Sequence, residues 1–290
     1  MLTASDIPAV LGVDAHRGAL AVYLAKVGDI ETVETAPMVR GRRFEGVIGE
    51  EYGAQTGRPV ASVGEYEIQQ HPDLPWIGAT LDRVTRGSGT PSPLGTDDDT
   101  EAPLQIKLAL GTAGAWKEGP PLAFLVQVQI EIACYRARWG ALAGLIGPGP
   151  LHVSDHVRDD AFLRAALPGL EEFWGRVQRR EPPPADGLDG TTAAIKRMWA
   201  DEDGETVTLD QSALDLWSQL EAAKDEIRDA KAREDAIHNE LRVRLGSASF
   251  GRLSDGSYLT LKTTHRAGFT VQPTTYRTLR RWRPKLHRRK

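Results

Sequence analysis

Apolar side chains recur at helical spacing over about 40–56, and Gly57 follows at the position of a helix C-cap. This pattern predicts an amphipathic helix that ends at the glycine. A shorter helix is expected nearer the N-terminus, because Ser5 or Asp6 is a suitable cap and Pro8 would lie in the first turn. The N-terminal part of the chain therefore contributes helices.

Short apolar segments bounded by turn-forming residues come next and predict a sheet. WIGATLDRV (76–84) and PLQIKLAL (103–110) are each expected to form one strand, and a long Gly-, Pro- and Asp-rich loop at 86–103 would join them as a hairpin. The segment PLAFLVQVQIEIACYRARW (121–139) is long and apolar enough for a mostly buried helix, and ALAGLIG (141–147) predicts a further strand.

The C-terminal third has a different pattern. Apolar residues keep a three–four spacing from 209 to 245, which predicts a long helix that Gly246 stops. The stretch 250–264 alternates around Asp255-Gly256, a strong hairpin signal. Together with the Pro-rich connector at 181–187, these patterns predict an α/β domain over 1–204 and, over 205–290, a helical arm with a hairpin and a basic tail.

Composition and charge narrow the class of protein. The 290 residues are 40% hydrophobic and 26% charged, values that exclude a wholly disordered or collagen-like chain. No apolar run is long enough to span a membrane, no signal peptide is recognisable, and the single Cys134 excludes an intramolecular disulfide. These features favour a cytoplasmic protein. Residues 277–290 carry eight Lys or Arg and no acid, so this tail either contacts the backbone of an anionic partner such as DNA or only improves solubility.

One pair of predicted strands carries a candidate site. Alternate residues of a strand share a face, so Gln105 and Lys107 would point the same way while Ile106 points into the core. Asp82, near the end of the preceding strand, would add a carboxylate. Oxygen ligands suit a hard cation such as Mg²⁺, and a lysine beside them could orient water for phosphodiester hydrolysis. Spacing alone fits an ordinary turn acid and strand-edge lysine as well.

A family resemblance supports the functional interpretation. Residues 1–200 resemble, in order, the YqaJ viral recombinase family, which is similar to phage lambda exonuclease within the PD-(D/E)XK nuclease superfamily. The likeness implies a restriction-endonuclease-like core, a mixed β-sheet flanked by helices. The segments that carry it are TASDIPAVLG, RGRRFEGVIGEEYGAQTG, HPDLPWIGATLDRV, PLQIKLA, AFLVQVQIEIACYRARWGALAGLIG and VRDDAFLRAALPGLEEFWGRVQRREPPPADG.

The resemblance also assigns roles by position. Asp82 matches the central metal ligand and Lys107 the catalytic lysine. Glu45 matches a helix carboxylate near the metals, and Gln127 a glutamine that positions the reactive end. Ser5 matches a residue that holds a 5′-phosphate. Each also has an ordinary structural explanation, such as a helix cap for Ser5 or a buried amide for Gln127.

The metal ligands implied by the resemblance are Asp82, position 105 and the backbone carbonyl of Ile106. This chain departs from the family at Gln105, where a glutamate is usual. It could be a natural variant, a degenerate inactive copy or a deliberate near-isosteric substitution. Glu101 is poorly placed to compensate if it lies in a loop, and the arginine that the family usually has upstream of the TAS segment is either absent or was lost with an N-terminal truncation.

The implied function is a phage-type, Mg²⁺-dependent DNA exonuclease that resects double-stranded ends for recombination, with Mn²⁺ as a substitute metal. A ring-like homo-oligomer, such as a trimer, and a single-strand annealing partner are implied as well, encoded by a phage or prophage. Gln105 favours an alternative, a catalytically inactive DNA-binding accessory protein of the same fold. The missing charge predicts slow digestion, with at least about a tenfold gain in rate for Gln105→Glu.

Overall fold

The computed structural model divides into two units, Met1–Ala200 and Asp201–Lys290. The predicted boundary at 204/205 stays a prediction. Most of the basic tail, together with parts of the predicted 86–103 loop, lies outside the described residues. The structure describes residues 1–28, 34–64, 67–87, 92–94, 99–109, 116–147, 149–265, 268 and 277–281.

Among the described residues of the first unit, eight strands form two sheets. A three-stranded sheet has the order β1-β4-β3, and a five-stranded sheet has the order β2-β5-β6-β7-β8. β6 and β7 pair in parallel, whereas their outer neighbours pair antiparallel, so the larger sheet is mixed. The strands are β1 (Leu2–Thr3), β2 (Val60–Ala61), β3 (Ile68–Gln70), β4 (Ile77–Thr80), β5 (Arg83–Arg86), β6 (Glu101–Ala109), β7 (Trp139–Ile146) and β8 (Leu151–Val157).

Six helices surround these sheets. The predicted N-terminal, glycine-terminated and buried helices are all present, and Gly57 adopts the left-handed C-cap conformation. The helix predicted over 40–56 begins earlier, because the Thr35 hydroxyl caps it by accepting a hydrogen bond from the Met38 amide. The helices are α1 (Ile7–Val10), α2 (Ala19–Val27), α3 (Ala36–Thr56), α4 (Leu122–Cys134), α5 (Asp160–Arg179) and α6 (Asp189–Met198).

The single strand predicted over 76–84 is wrong. The segment forms β4 and β5, which belong to different sheets and are separated by Leu81 and Asp82. The Asp82 carboxylate accepts a hydrogen bond from the Ile106 backbone amide, so a side chain takes the place of a ladder acceptor at the break. The hairpin of β5 with β6 is confirmed, but β6 begins at Glu101, within the predicted loop.

Helices cover both faces of the larger sheet. α3 packs its Ile48 and Tyr52 on the face that carries Leu104 and Ile106 of β6. α4, the crossover between β6 and β7, packs on the opposite face, the one that carries Gln105. The expected alternation along β6 is confirmed, and the face of Gln105 and Lys107 lies beneath α4.

The second unit contains a long helix and a hairpin, as predicted. Helix α7 (Gln211–Leu245) begins at Asp210, whose carboxylate accepts from the Ala213 amide, and its C-cap is Gly246. β9 (Phe250–Arg252) pairs antiparallel with β10 (Tyr258–Thr260). The predicted fold class, a mixed α/β structure with helices flanking the sheet, followed by a long helix and a hairpin, is therefore confirmed. Across the described ranges, no helix is both long and apolar enough to cross a membrane.

Gly190 is expected to reject a side chain although it lies in a helix. Its amide donates to the His16 carbonyl at 2.9 Å, and a Cβ at this position would lie 2.4 Å from that oxygen. Gly→Ala in a helix normally stabilises by about 1 kcal/mol, but here the clash should lower the free energy of unfolding by about 1–3 kcal/mol. Urea denaturation measures the change. Gly169→Ala in α5, where a Cβ would have only an ordinary contact at 3.9 Å, is the matched control. Equal stability of the two variants would contradict the expected clash.

Candidate active site

Strand β6 and helix α4 bring the polar residues of the predicted site together. Because Gln105 and Lys107 project from one face of β6, both meet the Gln127 side chain that α4 presents to the strand. Lys107 Nζ donates to Gln127 Oε1 at 2.9 Å, and Gln127 Nε2 donates to Gln105 Oε1 at 2.6 Å. Gln105 is only 2% exposed, so this contact is made away from bulk water.

Asp82 joins this network from the break between β4 and β5. Its Oδ2 atom accepts from the Ile106 amide at 2.8 Å and from Gln105 Nε2. Burial raises the pKa of the Asp82 carboxyl, while the positive charge of Lys107 opposes the rise. Four predicted site residues, Asp82, Gln105, Lys107 and Gln127, thus form one hydrogen-bonded group.

The side-chain amides of Gln105 and Gln127 each have a defined orientation. Lys107 can only donate, so it fixes the Gln127 oxygen towards itself and the Gln127 nitrogen towards Gln105. The Gln105 oxygen then faces Gln127, and its nitrogen faces Asp82. Metal ligation by the Gln105 oxygen would require the amide to reverse, and its role as a ligand stays a prediction.

Sequence analysis missed Glu131, the residue at the far end of the network. Gln127 Nε2 also donates to Glu131 Oε1 at 2.9 Å, and Glu131 is only 1% exposed. Burial, followed by the negative charge of Asp82, raises the pKa of Glu131 to about 8. A signal was present, because a carboxylate four residues after Gln127 shares its helix face and interrupts an apolar run.

Glu45 reaches the site from α3. A cleft of about 460 Å³ is lined by Glu45 and Asp82, with the cationic side chains of Arg42 and Arg83 beside them. Burial and the nearby charge of Asp82 raise the pKa of the Glu45 carboxyl. The cleft therefore exposes Asp82, which is partly accessible, to a ligand from outside.

Two other residues considered from the sequence lie apart from this network. Ser5 is exposed in the turn before α1, and its hydroxyl bonds to that of Thr3 at 3.1 Å. Glu101 lies in β6 and not in a loop, but its carboxylate accepts from Arg86 and from the Tyr135 hydroxyl. Glu101 is thus engaged elsewhere and does not replace the missing charge at position 105.

The donor set is suited to a hard divalent cation. Asp82, Glu131 and Glu45 offer carboxylate oxygens, and Gln105 and the Ile106 carbonyl offer neutral ones, the ligand types that Mg²⁺ prefers. Two carboxylates are held in a poorly hydrated site, which is costly unless a cation offsets their charge. In the part of the chain that the structure describes, no three His, Cys, Asp or Glu side chains are already clustered closely enough to form a metal site.

Comparisons with known proteins agree with the motifs. No curated protein matches the chain. Two similar solved structures are LHK-Exo in complex with dAMP and an alkaline exonuclease, LHK-Exo, from Laribacter hongkongensis. Both are 20% identical with a TM-score of 0.47; the first match covers 69% of this chain and 93% of the other, the second 62% and 89%. Residues 1–138, which include every member of the network from Asp82 to Glu131, match the family model of the YqaJ-like viral recombinase domain. Residues 1–138 of the chain are therefore similar to the YqaJ-like viral recombinase domain.

Proposed function

We propose that this protein is a phage-type, Mg²⁺-dependent exonuclease that resects double-stranded DNA ends for recombination. The observation that carries the proposal is the hydrogen-bonded group of Asp82, Gln105, Lys107 and Gln127 beside a cleft. A carboxylate, an amide and a lysine at these positions within a YqaJ-like domain fit metal-assisted hydrolysis of a phosphodiester. Mn²⁺ is expected to substitute for Mg²⁺.

Each residue has a distinct part in the proposed reaction. Asp82 and the Ile106 carbonyl would hold the cation, together with Gln105 once its amide has reversed, and the cation would polarise the phosphate and acidify a water molecule. Lys107 donates a hydrogen bond that orients the attacking water towards the phosphorus atom. Gln127 holds the Lys107 ammonium through its side-chain oxygen at 2.9 Å, which limits the positions of that donor.

The cleft supplies the contacts for DNA. Arg42 and Arg83 line it beside Glu45, and guanidinium groups pair well with phosphate oxygens. Glu45 would position the cation or its water on the α3 side. We assign binding of the DNA 5′-phosphate to Ser5. Its exposed hydroxyl bonds to that of Thr3, which is not a site residue. A homo-oligomer, such as a trimer, and a single-strand annealing protein complete the proposal, in the cytoplasm of a bacterial host.

One observation favours a second function, that of a catalytically inactive DNA-binding accessory protein. The Gln105 amide donates to Asp82, where a glutamate would repel it and invite a cation instead. This contact satisfies Asp82 without a metal. A protein of this kind would bind DNA ends and leave them intact.

Removal of Lys107 separates these functions. The full chain with Mg²⁺ should shorten end-labelled linear duplex DNA and leave covalently closed circles intact. Lys107→Ala should slow this digestion by on the order of 10², because the water loses its orienting donor. The matched control is Lys262→Ala, since both ammonium groups lie over a phenylalanine ring, Lys107 at 5.0 Å and Lys262 at 4.6 Å.

The assay has two contrary outcomes. If the parent chain binds linear DNA in a gel-shift assay but never shortens it with Mg²⁺ or Mn²⁺, the accessory function is correct. If the parent digests DNA and Lys107→Ala digests it equally fast, the nuclease function stands but the assigned role of Lys107 is wrong.

A further inference from the structure

Glu131 is a buried carboxylate without an assigned role. It lies in the last turn of α4, among buried side chains of the helix, and it is only 1% exposed. Charged groups are rarely buried this completely unless they are paired or bind a metal. The hydrogen bond from Gln127 is a neutral contact, and burial raises the pKa of Glu131, so the carboxyl favours its protonated form. A cation bound nearby would favour the ionised form instead.

The position of Glu131 relates it directly to the missing charge at position 105. One nitrogen, Gln127 Nε2, donates both to Gln105 Oε1 at 2.6 Å and to Glu131 Oε1 at 2.9 Å. The two oxygens therefore lie within two hydrogen-bond lengths of each other. A negative charge at Glu131 is therefore displaced by at most two hydrogen-bond lengths from the place where a glutamate at 105 would put it.

The hydrogen bonds through Gln127 and Gln105 connect Glu131 to Asp82. The charge of Asp82 raises the pKa of Glu131, and the ammonium group of Lys107 lowers the pKa of both carboxyls. In a poorly hydrated interior such interactions extend over several ångströms, so a charge need not touch a cation to attract it. A divalent cation at Asp82 would offset both carboxylates together.

We propose that Glu131 is the second carboxylate of the metal site and supplies from helix α4 the negative charge that Gln105 lacks in strand β6. The ligand is a hard divalent cation, Mg²⁺ or Mn²⁺, held together with Asp82. The inference rests on the proposed function for the use of the cation, but it concerns binding and is tested without DNA. It also lowers the gain in rate expected for Gln105→Glu. The tenfold gain predicted from the sequence applies to a site in which Glu131 does not supply a second carboxylate.

Calorimetric titration with Mn²⁺ tests whether Glu131 supplies the negative charge that is missing at position 105. Glu131→Gln should weaken Mn²⁺ binding at least about tenfold, which corresponds to about 1.4 kcal/mol. Gln105→Glu/Glu131→Gln should recover the affinity of the parent, and Gln105→Glu should improve binding more in the Glu131→Gln background than in the parent. Glu172→Gln, an exposed carboxylate in α5, is the control. Thermal unfolding in EDTA checks that each variant is folded.

The outcomes are distinguishable from failure of the proposed function. Equal affinity of the parent and Glu131→Gln, or a double variant that binds as weakly as Glu131→Gln, would overturn the role of Glu131. If Asp82→Asn loses Mn²⁺ binding in that case, the metal site of the proposed nuclease survives. If Asp82→Asn also binds normally, both proposals fail. If Glu131→Gln does not fold, the Mn²⁺ affinity of Gln105→Glu in the parent background decides the matter. A tenfold gain in that affinity would contradict the role of Glu131.

Discussion

Asp82→Asn is expected to reduce the rate of DNA digestion by on the order of 10³, the largest catalytic effect of any single substitution in this site. The substitution keeps the size of the side chain but removes a negative charge that lines the cleft, next to the Ile106 amide and Gln105. A cation then loses its central ligand, and the charge that develops on the phosphate is poorly stabilised. Single-turnover digestion of end-labelled duplex at saturating Mg²⁺ measures the effect.

The control for this substitution is Asp73→Asn, which makes the same chemical change at an exposed position. Repeating both assays with Mn²⁺ separates weak metal occupancy from slow chemistry. Digestion by Asp82→Asn at the rate of Asp73→Asn would show that the reaction does not depend on this carboxylate, and the assignment of the site would be wrong.

Asp155→Ala is expected to lower the free energy of unfolding by about 3 kcal/mol. Arg58 is 7% exposed and donates to both oxygens of Asp155 at 2.7 Å, while its Nη1 also donates to the Tyr52 hydroxyl at 2.9 Å. The guanidinium group lies 5.0 Å from the centre of the Trp139 ring. Loss of the carboxylate leaves a buried positive charge without its anionic partner. Urea denaturation measures the change.

The double variant Arg58→Met/Asp155→Leu tests the reason for this loss. It removes both charges and replaces them with apolar groups, so it should be more stable than Asp155→Ala alone. If the double variant is less stable than the single one, the penalty comes from lost packing around Tyr52 and Trp139 and not from the uncompensated charge.

Local patterns predicted the elements that have one dominant period. Strand β6, helix α4 and the hairpin at Asp255-Gly256 follow from alternation, apolar length and a turn with positive φ at Gly256. The break at Leu81 and Asp82 was missed because Asp82 and Arg83 were interpreted as the polar end of one strand and not as the boundary between two. A change of sheet depends on which strands pair at long range, and that information is not present in a single segment.

The candidate site could likewise be predicted only in part from local patterns. Alternation alone placed Gln105 and Lys107 on one face, and the structure adds Gln127 and Asp82 to that face by hydrogen bonds. The sequence signal at Glu131, a carboxylate on the helix face of Gln127, points to the site once α4 is known to pack on the face of β6 that carries Gln105. A motif defined along strand β6 does not include a carboxylate from the neighbouring helix α4.

The break between β4 and β5 gives the proposed metal site unequal stiffness. Gln105 and Lys107 belong to β6, whose backbone pairs with β7 at both positions, although its pairing with β5 ends at Leu104. Asp82 lies outside both sheets, and its side chain ties it to β6 by accepting from the Ile106 amide and from Gln105. Oxygen ligands lie at about 2.0–2.1 Å from Mg²⁺ and 2.3–2.6 Å from Ca²⁺. Exchange of one cation for another is therefore expected to move the Asp82 side chain more than the backbone of β6, which holds Lys107 beside the attacking water.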